Sequence, residues 1–203
     1  MKLYNAPLPA PNPRRVRIFL AEKGLSLPLE DVSMRDRAHK SPEFRAKNSL
    51  GQLPVLALDD GTHLSESVSI CRYLEELYPR PALFGRTPIE RATVDMWIRR
   101  IEMTVMTPVG AVWVHTHPFT ARLGTQYQEW GEANRERYAK ALAWLERELE
   151  GREFVAGADY SMADIIALTT VDFARFIGME LPEDVARVRA WHARVSARPS
   201  AAA

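Results

Sequence analysis

The pattern of apolar residues changes partway along the chain, at a proline-rich segment covering residues 78–88. Before this segment, strand and helix patterns follow one another in the order β-α-β and then β-β-α. After it, the apolar residues recur only at helical spacing. The chain is therefore expected to fold as an α/β domain followed by an all-α domain, with domain boundaries at residues 1–78 and 88–203 and a linker at residues 79–87.

Composition and charge exclude several classes of protein. Apolar residues make up 46% and charged residues 26% of the 203, an ordinary globular balance. The net charge of +1 is not the excess of positive charge expected of a nucleic-acid-binding protein. No apolar run reaches the ~18 residues that cross a membrane. A single cysteine, Cys71, excludes an internal disulfide. No signal peptide is visible, so a cytoplasmic protein that acts on a small molecule is expected.

Four helices are predicted in the second half of the chain. The first is long, with Ile89 and Trp97 on one face and a kink at Pro108. A later helix begins after Tyr160, where Ser161 as N-cap and Asp164 three residues on predict a reciprocal capping box. Such a box is a folding device, so no ligand role is assigned to it. The alanines at the C-terminus are expected to fray.

Asn12 and Pro13 form a predicted helix start directly after the first strand. Asparagine is a preferred N-cap and proline is favoured at the first helical position. A helix start at the tip of a sheet can bind an anion, because unpaired N–H groups and the helix dipole point outward. The alternative is that the Asn12 side chain only caps its own helix, and the sequence leaves both interpretations open.

The segment at residues 64–69 is predicted to open another helix, with Ser65 as its cap. Val68 stands where a capping carboxylate would be, so N–H groups of the first turn remain available to a ligand carboxylate. Ser67 would lie beside them, and Glu66 could meet an ammonium. An α-amino acid head carries both charges and suits this arrangement. The alternative is a solvated polar helix start without a ligand.

Pro54 follows the short segment Gly-Gln-Leu at residues 51–53. Because proline cannot donate to a sheet ladder, Pro54 is expected at the first residue of a strand or at a bulge. The bond before it can be cis or trans. If it is cis, the backbone of Leu53 turns outward and can pair with an extended peptide.

Six segments, in this order, resemble the glutathione transferase family over essentially the whole chain. The resemblance implies a thioredoxin-like glutathione-binding domain and an all-α domain that shapes the acceptor pocket. It also implies glutathione as co-substrate, a role in detoxification and a cytosolic homodimer. The segments are Lys-Leu-Tyr at residues 2–4, the helix at 15–24, His-Lys-Ser-Pro-Glu-Phe at 39–44, Gly-Gln-Leu-Pro at 51–54, Leu-Ser-Glu-Ser at 64–67 and Ala-Asp-Tyr-Ser-Met-Ala-Asp-Ile at 158–165.

The same resemblance implies roles for individual residues. Glu66 and Ser67 would bind the γ-glutamyl head of glutathione, in agreement with the charges considered above. Leu53, ahead of a cis Pro54, would pair its backbone with the cysteinyl unit.

The glycine carboxylate of glutathione would, by the resemblance, be held by Lys40, with His39 and Gln52 nearby. An isolated lysine in a loop is also often simply solvated. The role of Lys40 therefore stays open between these two interpretations.

The loop that would face the sulfur has neither hydroxyl nor thiol at the family's usual positions. It reads Ala10-Pro11-Asn12 and is similar to the bacterial nu-class pattern Thr-Pro-Asn, with Ala10 in place of the threonine. Asn12, the predicted catalytic residue, can donate N–H bonds to a thiolate but cannot act as a base. Activation of the sulfur would then be electrostatic.

The acceptor pocket is predicted on the long helix of the second half. Met103, Met106, Gly110 and Trp113 form a second apolar stripe on that helix. Methionine and tryptophan suit an adaptable pocket wall for an electrophile. The alternative is a contact between the two copies of a dimer.

Metal and cysteine chemistry are not expected. His115 and His117 could suggest a metal ligand pair, but no further ligands stand at suitable spacing, so no metal is predicted. Cys71 lies on an apolar helix face and is expected to be buried and inert.

Three functional hypotheses follow. The first is a glutathione S-transferase that binds glutathione as a thiolate and conjugates it to small electrophiles. The second is a glutathione-dependent disulfide reductase or peroxidase, in which two glutathiones supply both sulfurs. The third is a non-catalytic glutathione-binding protein that serves as an interaction module.

Overall fold

The computed structural model describes residues 1–7 and 9–203. They form two units, Met1–Leu83 together with Pro199–Ala203, and Phe84–Arg198. The first unit contains the sheet, and the named elements of the second are helices. The predicted α/β and all-α halves are therefore both present.

Four strands form one mixed sheet in the order β2-β1-β3-β4. β1 is parallel to β2 and antiparallel to β3, which pairs antiparallel with β4. Asp-Asp-Gly at residues 59–61, a sequence typical of hairpin turns, joins β3 to β4, and Gly61 adopts φ +88° there, a conformation that favours glycine. The strands are β1 Lys2–Asn5, β2 Leu29–Asp31, β3 Val55–Ala57 and β4 His63–Ser65.

The helices of the first unit are α1 Pro11–Glu22, α2 Pro42–Arg45 and α3 Ser67–Leu77, with a 3-10 turn at Ala38–Lys40. α1 and α3 pack on each other. Both helices carry apolar side chains that are completely buried, among them Val16, Phe19, Ile70 and Leu74. The sequence analysis missed α2, because one helical turn is too short to show a period.

The C-terminal residues pack onto α1, so the prediction that they fray is wrong. Pro199–Ala202 forms a 3-10 turn in the first unit. Arg14 Nη2 donates to the carbonyl of Ala201 at 2.8 Å. Ser200 is buried, and its hydroxyl donates to Glu22. These hydrogen bonds hold the end of the chain, although its small side chains gave no sign of such contacts.

The long helix predicted after residue 88 is divided by a π-helical segment. α4 Pro88–Arg100 continues as π-helical Ile101–Met106 and then as α5 Thr107–Thr116. The irregularity lies before Pro108, because proline cannot donate to the carbonyl four residues back and its ring crowds that carbonyl. Ile89 is 74% exposed, although the sequence places it on the same helix face as the buried Trp97. The remaining helices are α6 Pro118–Ala121, α7 Gln128–Glu148, α8 Met162–Phe176 and α9 Ala186–Ser196.

Asp164 is fully buried at the start of α8. Its Oδ2 accepts from the backbone N of Ser161 at 3.0 Å, and the capping box predicted from the sequence is confirmed. Its Oδ1 accepts from the N–H of Val155 at 2.8 Å and from Trp191 Nε1 at 2.9 Å. Burial raises the pKa of this carboxyl, and the hydrogen bonds oppose that shift. Asp164 thus joins the helix start to α9 and has a structural role.

Candidate functional site

The strand register brings most of the predicted glutathione-binding segments to one edge of the sheet. Tyr4 lies opposite Val55, and Val55 lies opposite Ser65. β1 therefore ends, β3 begins and β4 ends at the same edge. The loop after β1 leads to α1, the turn at residues 51–54 leads into β3, and Glu66 directly follows β4. Three segments far apart in the sequence thus meet at one place.

Asn12 is the second residue of α1, and its predicted role as the N-cap is wrong. The helix begins at Pro11 with Ala10 as N-cap, and no described side chain caps it. Asn12 Oδ1 is buried and has no hydrogen-bond partner among residues 1–7 and 9–203. The side chain is thus not used to close the helix.

Pro11 and Pro13 limit the hydrogen-bond donors at the start of α1. Neither residue has a backbone N–H, and the N–H of Arg14 donates to the carbonyl of Ala10 at 3.4 Å. The expected row of unpaired N–H groups is therefore wrong. An anion at this helix start would meet the helix dipole and the amide groups of Asn12.

The peptide bond between Leu53 and Pro54 is cis, one of the two alternatives that the sequence left open. Leu53 packs its side chain against the buried cluster that contains Tyr4. Asn48 Nδ2 donates to the carbonyl of Gln52 at 2.9 Å. The turn is thus held by its own contacts, while the Gln52 side chain is exposed.

Glu66 is the N-cap of α3 and has an unusual backbone conformation, with φ +66° and ψ +114°. Ser65 was predicted as the cap, but it is the last residue of β4, so that prediction is wrong. Positive φ at a residue other than glycine costs about 1–3 kcal/mol, and such strain concentrates at functional sites. Glu66 is exposed and Ser67 is buried. The start of α3 therefore presents an exposed carboxylate next to a buried hydroxyl.

Arg15 is a candidate residue that the sequence analysis missed. Only 1% of it is exposed, and its Nη1 donates to Ser67 Oγ at 3.4 Å. The sequence carried a signal, because Ile18 and Phe19 are apolar and lie three and four residues further along the helix. That spacing places Arg15 on the buried stripe of α1, where a charged residue needs a polar partner.

His39 and Lys40 lie against Gly51, in the turn that precedes β3. Gly51 has φ +56°, and a Cβ at this position would lie 2.6 Å from the His39 carbonyl oxygen. Lys40 Nζ donates to the carbonyl of Leu50 at 2.9 Å. Burial and the charge of Lys40 lower the pKa of His39. Burial and the charge of Arg45 lower the pKa of Lys40.

Met103 and Trp113, two of the predicted acceptor residues, have different surroundings. Met103 lines an open groove between the π-helical segment and α7, and neither Met106 nor Trp113 is part of its lining. Trp113 packs instead in an aromatic cluster, with ring centroids 4.3 Å from His117, 5.7 Å from Phe119 and 5.2 Å from Phe173. The structure thus does not bring the predicted stripe to a single groove.

Residues 1–7 and 9–203 give little support to a metal site or to a reactive cysteine. Within them, no three His, Cys, Asp or Glu side chains are grouped so that they could hold a metal ion. Cys71 is completely buried, and burial raises the pKa of its thiol, which keeps it unreactive. None of the described helices combines the length and apolar character needed to cross a bilayer.

Comparison with known proteins gives matches in both halves. The family model described as "Glutathione S-transferase, N-terminal domain" matches residues 10–77, and the corresponding C-terminal domain model matches residues 128–194. Glutathione S-transferase 2 of Saccharomyces cerevisiae is 37% identical over 204 residues, which cover 98% of this chain and 87% of that protein.

Solved structures are similar over almost the whole length. The crystal structure of Gtt2 from Saccharomyces cerevisiae is 36% identical, with a TM-score of 0.93 and 98% of each chain covered. A glutathione S-transferase domain-containing protein from Marinobacter aquaeolei VT8 is 37% identical, with a TM-score of 0.92, covering 98% of this chain and 99% of that one.

Proposed function

The chain belongs to the glutathione S-transferase family, and we propose that it transfers glutathione to small electrophiles at the sheet edge formed by β1, β3 and β4. In this proposal, the unit that contains Met1–Leu83 binds glutathione and Phe84–Arg198 supplies the acceptor surface. The observation that carries the location of the site is the register of Tyr4, Val55 and Ser65, which gathers three otherwise distant segments.

The sulfur of glutathione is placed at the amino end of α1, beside Asn12. This position is supported by the side-chain amide of Asn12, whose Nδ2 can donate to a thiolate, and by the helix dipole. Because Pro11 and Pro13 bring no N–H, Asn12 is the main source of donors in the first turn. Lowering a thiol pKa from ~8.5 to about 7 requires about 2 kcal/mol, within reach of one charge-assisted hydrogen bond and a helix end.

The remainder of the tripeptide follows the edge of the sheet. The γ-glutamyl carboxylate meets the start of α3 and the Ser67 hydroxyl, and its ammonium meets Glu66. The cysteinyl unit pairs with the backbone of Leu53.

The glycine carboxylate lies toward Lys40, with His39 and Gln52 nearby. Lys40 donates to the carbonyl of Leu50, and an ammonium has further N–H groups that can bind a ligand. This contact supports a position for Lys40 close to the turn at residues 51–54.

The transfer itself joins the sulfur to an electrophilic carbon. The thiolate donates an electron pair to form the S–C bond, and the leaving group departs with the electrons of the bond that breaks. Thiolate stabilisation by N–H donors requires no metal. Met103, Met106 and Trp113 are the proposed acceptor residues, and the aromatic rings around Trp113 support a role in packing against an apolar substrate.

A homodimer in the cytoplasm is part of the proposal. Ile89 and Met96 lie seven residues apart on α4 and are 74% and 40% exposed. Exposed apolar residues on one helix face favour contact with another protein surface, and a second copy is the occupant we propose. The cytoplasm is the compartment where glutathione keeps thiols reduced.

The test of the proposed function compares binding and turnover. Glutathione affinity by calorimetry is expected to fall about 10-fold in Ser67→Ala, since a hydrogen bond to a charged group is lost. Conjugation to a chloronitrobenzene-type acceptor is expected, and it is measured beside the reduction of a small disulfide and of an organic hydroperoxide. Activity in the two reductions alone would contradict transfer and favour a glutathione-dependent reductase or peroxidase. Binding without turnover would favour a non-catalytic glutathione-binding protein.

A further inference from the structure

Arg15 carries a charge in the interior of the first unit. It is 1% exposed and ranks among the largest fully buried side chains. A buried guanidinium carries a desolvation cost of several kcal/mol, which only well-placed hydrogen bonds offset. The other fully buried positions around it on α1, Val16, Ile18 and Phe19, are apolar. Packing alone would be served by another apolar residue at this position.

The guanidinium reaches the start of α3. Its Nη1 donates to Ser67 Oγ at 3.4 Å, and both residues are buried. Burial raises the pKa of the Cys71 thiol, and the charge of Arg15 acts on it in the opposite direction. Residues 67 and 71 are four apart and share one face of α3. Arg15 therefore lies along the first two turns of that helix.

The chemistry of the two groups fixes the direction of the hydrogen bond. A serine hydroxyl can donate and accept at once, whereas a guanidinium only donates. The contact with Nη1 therefore occupies a lone pair of Ser67 Oγ and leaves the hydroxyl hydrogen to donate elsewhere. Because the donor is charged, it polarises the hydroxyl and strengthens the bond that the hydroxyl donates. A carboxylate at the amino end of α3 is a suitable acceptor, since the helix dipole also favours it.

We propose that Arg15 is a positioning residue for glutathione, which holds the Ser67 hydroxyl as a donor toward the α-carboxylate of the γ-glutamyl head. The inference rests on the proposed function, in which Ser67 binds that head. Arg15 acts through its hydrogen bond to Ser67 Oγ. Since the α-carboxylate does not change during transfer, Arg15 contributes to glutathione binding and not to the chemistry of the sulfur.

Arg15→Met removes the charge and the donors while keeping a long side chain. It is expected to raise KM for glutathione about 10-fold and to leave kcat at saturating glutathione within about 2-fold. Ser67→Ala is expected to raise KM similarly, and the double variant should be no worse than Ser67→Ala, because both changes remove one shared interaction. Additive effects on KM, or a fall in kcat at unchanged KM, would overturn the positioning role.

An analogue without the α-carboxylate, γ-aminobutyryl-cysteinylglycine, separates positioning from a general effect on the fold. In calorimetry, Arg15→Met and the unmodified protein should bind this analogue equally, while glutathione binds the variant about 10-fold more weakly. An equal loss of affinity for both ligands would mean that Arg15 only supports the fold. Arg15→Lys keeps a charged donor, so it should bind glutathione more tightly than Arg15→Met does, and it should bind the analogue as the unmodified protein does.

Ser67→Ala separates the two levels of the proposal. If this variant binds glutathione as tightly as the unmodified protein, the proposed site itself is wrong. If it binds more weakly while Arg15→Met does not, the site stands and the positioning role of Arg15 is refuted.

Discussion

Val55 of β3 lies opposite Ser65 of β4. Val55 directly follows Pro54, and Ser65 directly precedes Glu66. This pairing sets the separation between the turn that precedes β3 and the start of α3. Much of the proposed glutathione site is thus positioned by main-chain hydrogen bonds of the sheet. Substitutions that change the backbone at this edge are therefore expected to alter binding while the strand pairing stays intact.

Glu66→Gly is expected to stabilise the protein and weaken glutathione binding. The φ of +66° is strained for glutamate but accessible to glycine. After the greater flexibility of glycine in the unfolded chain is included, a gain of about 1 kcal/mol in the free energy of unfolding is expected. Urea unfolding and KM for glutathione measure the two effects.

Glu66→Ala is the matched control for this change. It also removes the carboxylate, so it should raise KM, but alanine keeps the strain and brings no gain in stability. If both variants are equally stable, the backbone of Glu66 is not a source of strain.

Gly51→Ala is expected to destabilise the protein more than Gly24→Ala. The two glycines have similar φ, +56° and +63°, which costs alanine about 1 kcal/mol at either position. A Cβ at Gly24 would meet nothing within 4 Å, whereas one at Gly51 would lie 2.6 Å from the carbonyl oxygen of His39. The clash should add about 1–3 kcal/mol and raise KM for glutathione only in Gly51→Ala. If urea unfolding shows the same loss of stability in Gly51→Ala and Gly24→Ala, the predicted clash with the His39 carbonyl is refuted.

His39 is expected to make the protein less stable in mild acid. Burial and the charge of Lys40 lower the pKa of His39 in the folded state. The unfolded chain then binds more protons below about pH 6.5, so the free energy of unfolding falls as the pH drops through that value.

His39→Gln should remove part of this dependence on pH. Urea unfolding at about pH 7.5 and about pH 5.5 measures it, since the two conditions lie on either side of the ordinary histidine pKa. If the variant and the unmodified protein lose the same free energy of unfolding on acidification, His39 is not the responsible group.

Met96→Asp is expected to dissociate the proposed homodimer. The substitution places a charge on the exposed face of α4 that carries Ile89, where the second copy would bury it at a cost of several kcal/mol. Leu123→Asp is the matched control, because Leu123 is 41% and Met96 40% exposed. Sedimentation should show a monomer for Met96→Asp and a dimer for Leu123→Asp. A dimer in both variants would show that this face of α4 is not part of the interface.

Local signals in the sequence predicted much of the fold. The order of strands and helices follows from the spacing of apolar residues, which alternates between the spacing of a strand and that of a helix. The hairpin follows from Asp-Asp-Gly at residues 59–61. The capping box of Ser161 and Asp164 depends only on residues three positions apart, and the structure contains it as predicted.

The helix starts at the proposed site were harder to predict, because tertiary structure decides them. Prolines at positions 11 and 13 offer two places to begin α1, and the structure uses the first. Ser65 pairs with Val55 in the sheet and so cannot serve as the cap of α3.

Contacts between distant segments explain the remaining differences. Arg15 meets Ser67, which lies 52 residues away, and Arg14 meets Ala201, which lies 187 residues away. Neither partner is visible in a local pattern of apolar residues. A buried arginine on an apolar helix face signals only that some polar partner exists.

The account depends most on a glutathione thiolate held at the amino end of α1 by Asn12. The direct measurement is the ultraviolet absorbance of the bound thiolate as a function of pH, in the unmodified protein and in Asn12→Ala. The pKa of the bound thiol is expected to lie below the ~8.5 of a free thiol and to rise by about 1 unit in the variant. The same pKa in both proteins would contradict the role of Asn12, and a pKa no lower than that of free glutathione would contradict the thiolate site itself.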